Sequence, residues 1–194
     1  QWPPIDTLGK YTSVLILLEQ KYWGTIPRGT MPSGFQDNFK TYLNVGGKLI
    51  YSGTPFIENM IQSYAQSPNL WARPVFHVSV SLRNVDFDFV GAKGMLGYPD
   101  VQLDLTKLPV DSNLAMRNIS MNIPDGFAQT ISLFDSRSNG PFENLPLGIR
   151  FLSEPVPLPR RPTYSIVFFA FPLFYAPDSS IIGCLRQAFL DLNE

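Results

Sequence analysis

The sequence predicts an α/β domain: an open, mainly parallel sheet with flanking helices, carrying a β-rich insertion over about 74–151. Three observations point there. Tyr11 to Leu18, Lys48 to Tyr51 and Thr163 to Phe171 are apolar runs of strand length. Phe35 to Ile61 reads as helix, glycine turn, strand and second helix in direct succession, the grammar of a layered α/β fold. The chain closes on an amphipathic stretch over 179–192.

The leading segment, Gln1 to Lys10, holds Trp2, Pro3 and Pro4 and reads as extended chain. Tyr11 to Leu18 (YTSVLILL) is continuously apolar over its second half, as in a parallel strand covered on both faces, and is expected to be central. Glu19 to Pro32 carries Gly24, Pro27, Gly29 and Pro32 and is expected to be a surface loop. Ser33 with Gln36 makes a capping box, and Phe35, Phe39, Tyr42 and Leu43 share one face of a helix over 35–43. Gly46 and Gly47 end it, since glycine accepts the left-handed backbone of a helix C-terminus. Lys48 to Tyr51 is a short buried strand. Thr54-Pro55 then opens a helix over 55–66 with Ile57, Met60, Ile61 and Tyr64 as its apolar stripe.

Beyond Pro68 the period changes from that of a helix to that of a strand. Phe76, Val78, Val80 and Leu82 alternate with His77, Ser79 and Ser81, and Val85, Phe87 and Phe89 take the opposite phase, so a bulge or turn is expected at Arg83-Asn84. Val101 to Leu105, Ile119 to Ile123 and the run beginning at Ile131 alternate in the same way. Asn139-Gly140-Pro141 and the proline-rich Pro155 to Pro162 are connectors, the second stretched as polyproline. Thr163 to Phe171 (TYSIVFFAF) is the most strongly β-forming run and is expected at the sheet centre. Asp178 or Ser179 is expected to cap the last helix, which buries Ile181, Leu185, Ala188, Phe189 and Leu192.

The 194 residues suit a single domain over 1–194, and 44% hydrophobic residues suffice for a core. Fifteen basic against sixteen acidic residues leave a net charge of -1 with no run of one sign, so no nucleic-acid partner is expected. The longest apolar runs fall short of the ~20 residues of a membrane helix, so no membrane insertion is expected. A lone cysteine, Cys184, excludes an intrachain disulfide and a cysteine-based zinc site.

Taken together, YTSVLILL, FKTYLNVGGKLIYSG and YSIVFFAFPLFY resemble the class I glutamine amidotransferase-like domains embedded in large secreted or surface bacterial proteins. The resemblance covers roughly 1–65 and 145–194, and YLNVGGKLIYSG is its most specific piece. It implies a flavodoxin-like fold. The first βα unit of that fold is missing before Tyr11 and is expected upstream. The family's nucleophilic cysteine and His-Glu pair are missing as well: Cys184 falls in the last helix, and His77, the one histidine, falls in an alternating strand. The family's activity therefore does not carry over, and the resemblance implies a non-catalytic interaction, scaffold or oligomerisation module of a larger extracytoplasmic bacterial protein. Its partners would be other domains of that protein or further copies of itself.

The residues themselves offer three weaker chemistries. Ligands of open α/β sheets bind at the carboxyl ends of the strands, which here brings Glu19, Ser52, Thr54 and Tyr175 to one crest, with Trp23 and Phe174 as apolar wall. This supports an alternative reading as a small-molecule or carbohydrate-binding domain. Ser52 with His77 gives a serine-hydrolase reading, but Ile50 stands where a nucleophile elbow needs glycine, and Ser52 reads more simply as a turn hydroxyl bonding backbone. Asp86, Asp88, Asp100 and Asp104 lack the spacing of a calcium loop and read as the wet face of strands. Asn118-Ile119-Ser120 fits a glycosylation sequon by chance composition, and Trp2, Trp23 and Trp71 read as core or interface packing residues before sugar-stacking ones. No cofactor is called for. The β-rich middle also supports an all-β virion or adhesin reading, against which the three amphipathic helices stand.

Overall fold

A computed structural model of the chain describes residues 4–17, 35–53, 75–108, 115–153 and 163–193. Among these are nine strands: β1 (Ser13–Leu17), β2 (Lys48–Ser52), β3 (Val78–Asn84), β4 (Phe89–Gly94), β5 (Val101–Gln102), β6 (Ile119–Pro124), β7 (Gln129–Ser136), β8 (Pro146–Phe151) and β9 (Ser165–Phe169). The described α-helices are α1 (Ile5–Leu8), α2 (Phe35–Asn44) and α3 (Asp178–Asp191), with a 3-10 turn at Leu173–Tyr175.

Seven strands form one sheet in the order β1-β2-β9-β8-β7-β4-β5, and β3 pairs with β6 in a second, two-stranded sheet. The three apolar runs lie side by side and parallel, Ser13 to Leu17 pairing with Lys48 to Ser52 and that with Ser165 to Phe169, but β1, expected to be central and covered on both faces, is the outermost described strand and buries only Ile16. From β9 onward the pairing reverses. β8 runs antiparallel to β9, β7 to β8, β4 to β7 and β5 to β4.

This corrects the expected fold class. An open, mainly parallel sheet would keep the β-rich middle apart, whereas β8 continues the sheet from β9 through Ile149↔Phe168, Arg150↔Val167 and Phe151↔Ile166. The described fold is strand-rich, and most of its pairings are antiparallel. The reason lies in what an apolar run can report. Burial on both faces produces the same uninterrupted sequence whatever the direction of the neighbouring strand, and β9, buried at all five residues, has one parallel and one antiparallel neighbour.

Both faces of β9 are covered. On one face Phe168 meets Phe76 edge-on at 6.0 Å and stacks on Tyr51 of the neighbouring β2 at 5.1 Å. Phe169 faces the α3 side, where Tyr98 packs edge-on at 5.8 Å and donates its hydroxyl to Asp191 at 2.6 Å. Arg150 holds the other Asp191 oxygen at 2.7 Å, so the end of α3 is fixed to β8 by a largely buried ion pair. Fully burying each large apolar side chain in such a core contributes about 1.5–3 kcal/mol.

Local differences have local causes. The leading segment turns into α1 instead of extending, because the Pro4 carbonyl accepts from Thr7 and Leu8 and so draws Leu8 into the core. Gly46 has φ +93° and ends α2 as expected, with the Gly46 and Gly47 amides returning to the Leu43 and Tyr42 carbonyls. The capping box and the helix expected over 55–66 lie outside the described residues. Val85 to Asp88 forms a turn, not a strand, because the Asn84 side chain takes the Asp86 amide at 2.7 Å. The register shift in β3 falls between Val78 and Val80, not at Arg83-Asn84. α3 begins at Asp178 after Pro177, whose carbonyl accepts from Ser180 and Ile181; neither Asp178 nor Ser179 caps it with a side chain.

Candidate functional site

The parallel strands bring Leu17, Ser52 and Phe169 level at their carboxyl ends. Beyond β9 the chain passes Phe171 and Pro172 into the 3-10 turn, and Ser52 fixes that passage. Its hydroxyl donates to the Phe171 carbonyl at 2.9 Å and accepts from the Leu173 amide at 2.8 Å, while the side chain itself is buried. Leu173 and Tyr175 point inward and are buried. Phe174 between them points outward and is 53% exposed, packed edge-on against Tyr175 at 5.3 Å.

The turn that follows β5 is bonded to the segment that follows Phe174. Asp104 donates its amide to the Tyr175 carbonyl at 2.7 Å. Its carboxylate accepts from the Thr106 hydroxyl at 2.6 Å and the Thr106 amide at 3.0 Å, bonds that hold the Asp104 carboxyl below its usual value. Lys107 donates to the Ala176 carbonyl at 2.8 Å and to Asp178 at 2.6 Å. The result is an exposed ring on a fixed turn, whose next two residues, Tyr175 and Ala176, accept through their carbonyls from Asp104 and Lys107. Of the residues proposed from sequence, Ser52 and Tyr175 support this surface from beneath and Phe174 forms it. Glu19, Trp23 and Thr54 lie outside the described residues. Lys107 and Asp178 went unnoticed because they are 71 positions apart and no spacing rule connects them.

A second polar cluster sits at the other end of β9. His77 is not a strand residue: it precedes β3 with φ +55° and is buried, against the expectation of an alternating strand position. Its Nδ1 lies 3.0 Å from Asp125, its Nε2 lies 3.5 Å from the Tyr164 hydroxyl, and its ring stacks on Phe151 with centroids 3.9 Å apart. Burial and the Asp125 charge push the Tyr164 hydroxyl well above its ordinary range, so it stays protonated as a donor. Base, carboxylate and hydroxyl are in line, but Ser52 is not among them. It pairs with Phe169, five residues along β9 from Tyr164, about 16 Å at the rise of a strand. The two residues of the hydrolase reading thus stand at opposite ends of the sheet.

The remaining sequence candidates have structural partners. Asp88 accepts from the hydroxyls of Ser136 at 2.6 Å and Ser138 at 2.8 Å, organising the 136–140 turn. The Asn118 side chain of the sequon is held by the Arg83 guanidinium at 2.6 Å, and Ser120 is buried. Among the described residues no group of three or more His, Cys, Asp or Glu is placed to hold a metal. Trp2, Trp23 and Trp71 fall outside them.

No family model and no curated protein matches the sequence. Among solved structures, the fold is similar to part of a polyextremophilic β-galactosidase from the Antarctic haloarchaeon Halorubrum lacusprofundi, with a TM-score of 0.50 and 13% identity. The alignment covers 95% of this chain and 22% of the galactosidase, so the chain spans about a fifth of that protein's length. This finding and the mixed, mostly antiparallel sheet overturn the resemblance to flavodoxin-like amidotransferase domains. The likeness establishes fold alone. Among the described residues, no helix is long and apolar enough to cross a membrane.

Proposed function

We propose that residues 1–194 form a single accessory domain that binds a small, hydroxyl-rich ligand, a carbohydrate, at the Phe174 turn. The observation that carries this reading is the placement of Phe174. The ring is 53% exposed, and it is held on a 3-10 turn locked from below by two buried hydrogen bonds of Ser52. A rigid, exposed aromatic face beside a few oriented polar groups suits the apolar face of a sugar ring.

We place the domain within a larger protein. In support, the similar stretch of the solved galactosidase is one part of a longer chain. We extend the reading to an extracytoplasmic setting, where free and polymeric sugars are met; recovery of the native protein only from the cytosolic fraction counts against that extension. A second reading, an interaction or oligomerisation surface, draws on Leu15 and Leu17. Both are exposed on β1, the outermost described strand of the large sheet.

The test is calorimetric titration of the chain with a set of methyl glycosides, beside Phe174→Ala. Millimolar binding by the wild type, lost in Phe174→Ala with thermal unfolding unchanged, is the expected result. Equal binding by both proteins moves the ligand elsewhere. If no glycoside binds and Leu17→Lys converts an oligomer to a monomer, the second reading replaces the first.

A further inference from the structure

We infer that Lys107 and Asp178 form the specificity pair of this surface, reading two neighbouring hydroxyls of a pyranose whose apolar face lies on Phe174. The inference rests on the reading of Phe174 as a carbohydrate platform and names the groups that select among carbohydrates.

The bonding capacity of the pair leads to this assignment. A lysine ammonium has three N–H donors, and two are used, one on the Ala176 carbonyl at 2.8 Å and one on Asp178 at 2.6 Å. The third has no described partner. Asp178 gives one oxygen to Lys107, and its side chain is 84% exposed, so its second oxygen stands in the open. Donor and acceptor are thus presented side by side. Each adjacent hydroxyl pair on a sugar ring offers the complement, one oxygen to accept from the ammonium and one O–H to donate to the carboxylate.

The pair is also held still. Lys107 is only 26% exposed and is bonded to the backbone of the segment that follows Phe174. The Asp104 amide ties the same turn to the Tyr175 carbonyl at 2.7 Å. An exposed ion pair between two mobile chains contributes little to stability. Here one partner is bonded to the Ala176 carbonyl, two residues beyond the aromatic ring, which ties the ammonium to the segment that carries the ring. Such preorganisation favours selective recognition of a polar ligand because less is lost in ordering the site.

The test is an NMR titration of the 15N-labelled chain with the methyl glycosides of glucose, galactose, mannose and xylose, repeated with Asp178→Asn and Lys107→Met. Asp178→Asn keeps the shape and the oxygen facing Lys107, so it reads the carboxylate charge without removing the turn. Each substitution is expected to weaken the preferred glycoside by about tenfold, the worth of a hydrogen bond to a charged group. The double variant is expected to bind no more weakly than the weaker single variant, since the two act as one unit. A deoxy analogue lacking the contacted hydroxyl should bind wild type and Asp178→Asn alike. If both variants bind every glycoside as the wild type does while Phe174→Ala binds none, the pair is overturned and the platform stands. If no glycoside shifts the Phe174 region, both are overturned.

Discussion

The Ser52 hydroxyl donates to the Phe171 carbonyl across 119 positions of sequence, at 2.9 Å and fully buried. The same oxygen accepts the Leu173 amide. One side chain of β2 therefore satisfies two backbone groups of the segment leaving β9, and a serine that resembles a nucleophile in sequence acts as a tie between strand and turn. Ser52→Ala should lower the unfolding free energy by about 1–3 kcal/mol, since a buried amide and carbonyl are left unpaired. Urea denaturation measures this. Labelling of native Ser52 by a fluorophosphonate probe would contradict the tie.

His77 joins the two sheets, with Asp125 following β6, Phe151 ending β8 and Tyr164 immediately preceding β9. His77→Ala removes the stack and strands the Asp125 carboxylate, and should cost about 2–4 kcal/mol. His77→Phe restores the stack without the nitrogen partner and should recover part of that loss. A variant that unfolds at the wild-type urea midpoint would show that the joint bears no strain.

Asp88 supplies a pH dependence. Partial burial works against its charge, but the hydroxyls of Ser136 and Ser138, the Ser138 amide and the nearby Arg137 outweigh it and lower the carboxyl from its ordinary value of 3.8. A carboxylate lowered in the folded state binds fewer protons there than in the unfolded chain. Its contribution is therefore complete above the ordinary value and is lost as pH falls through the lowered one. Asp88→Asn should accordingly be less stable than wild type near neutral pH, and the gap should close below about pH 4. A gap that persists or widens in acid would reverse the sign.

Cys184 is buried in α3, and burial pushes its thiol up to about 12. The thiolate is the reactive form, so a disulfide reagent at pH 8 should leave the native chain unmodified and react at once in denaturant. Stoichiometric labelling of the folded protein would show that α3 lifts from the core at its middle.

Gly94 and Gly126 separate two uses of glycine. A Cβ at Gly94 would run into the Tyr98 and Pro99 carbonyls, which are backbone and cannot yield, whereas at Gly126 it would meet nothing. Gly94→Ala should thus cost well over the ~1 kcal/mol expected at Gly126, where the penalty is only that of a side chain at φ +95°. Comparing the two melting temperatures tests this.

The sequence by itself determined what short-range chemistry controls. The spacing of Phe39, Tyr42 and Leu43 set the buried face of α2, Gly46 set its end, and the apolar runs set β1, β2 and β9 together with their adjacency. Tertiary structure decided the direction of the other strands, because a residue buried on β9 carries no mark of whether Tyr51 or Ile149 lies beyond it. It also decided the site. Ser52 and Tyr175 could be placed at the strand ends from sequence, but whether they face out or in depends on the turn at Pro172, and they face in. Lys107 and Asp178 meet only because α3 starts where the turn after β5 passes beneath it. Contacts between distant segments follow from how a chain packs its whole core, and packing leaves no periodic signal in the residues that end up at its rim.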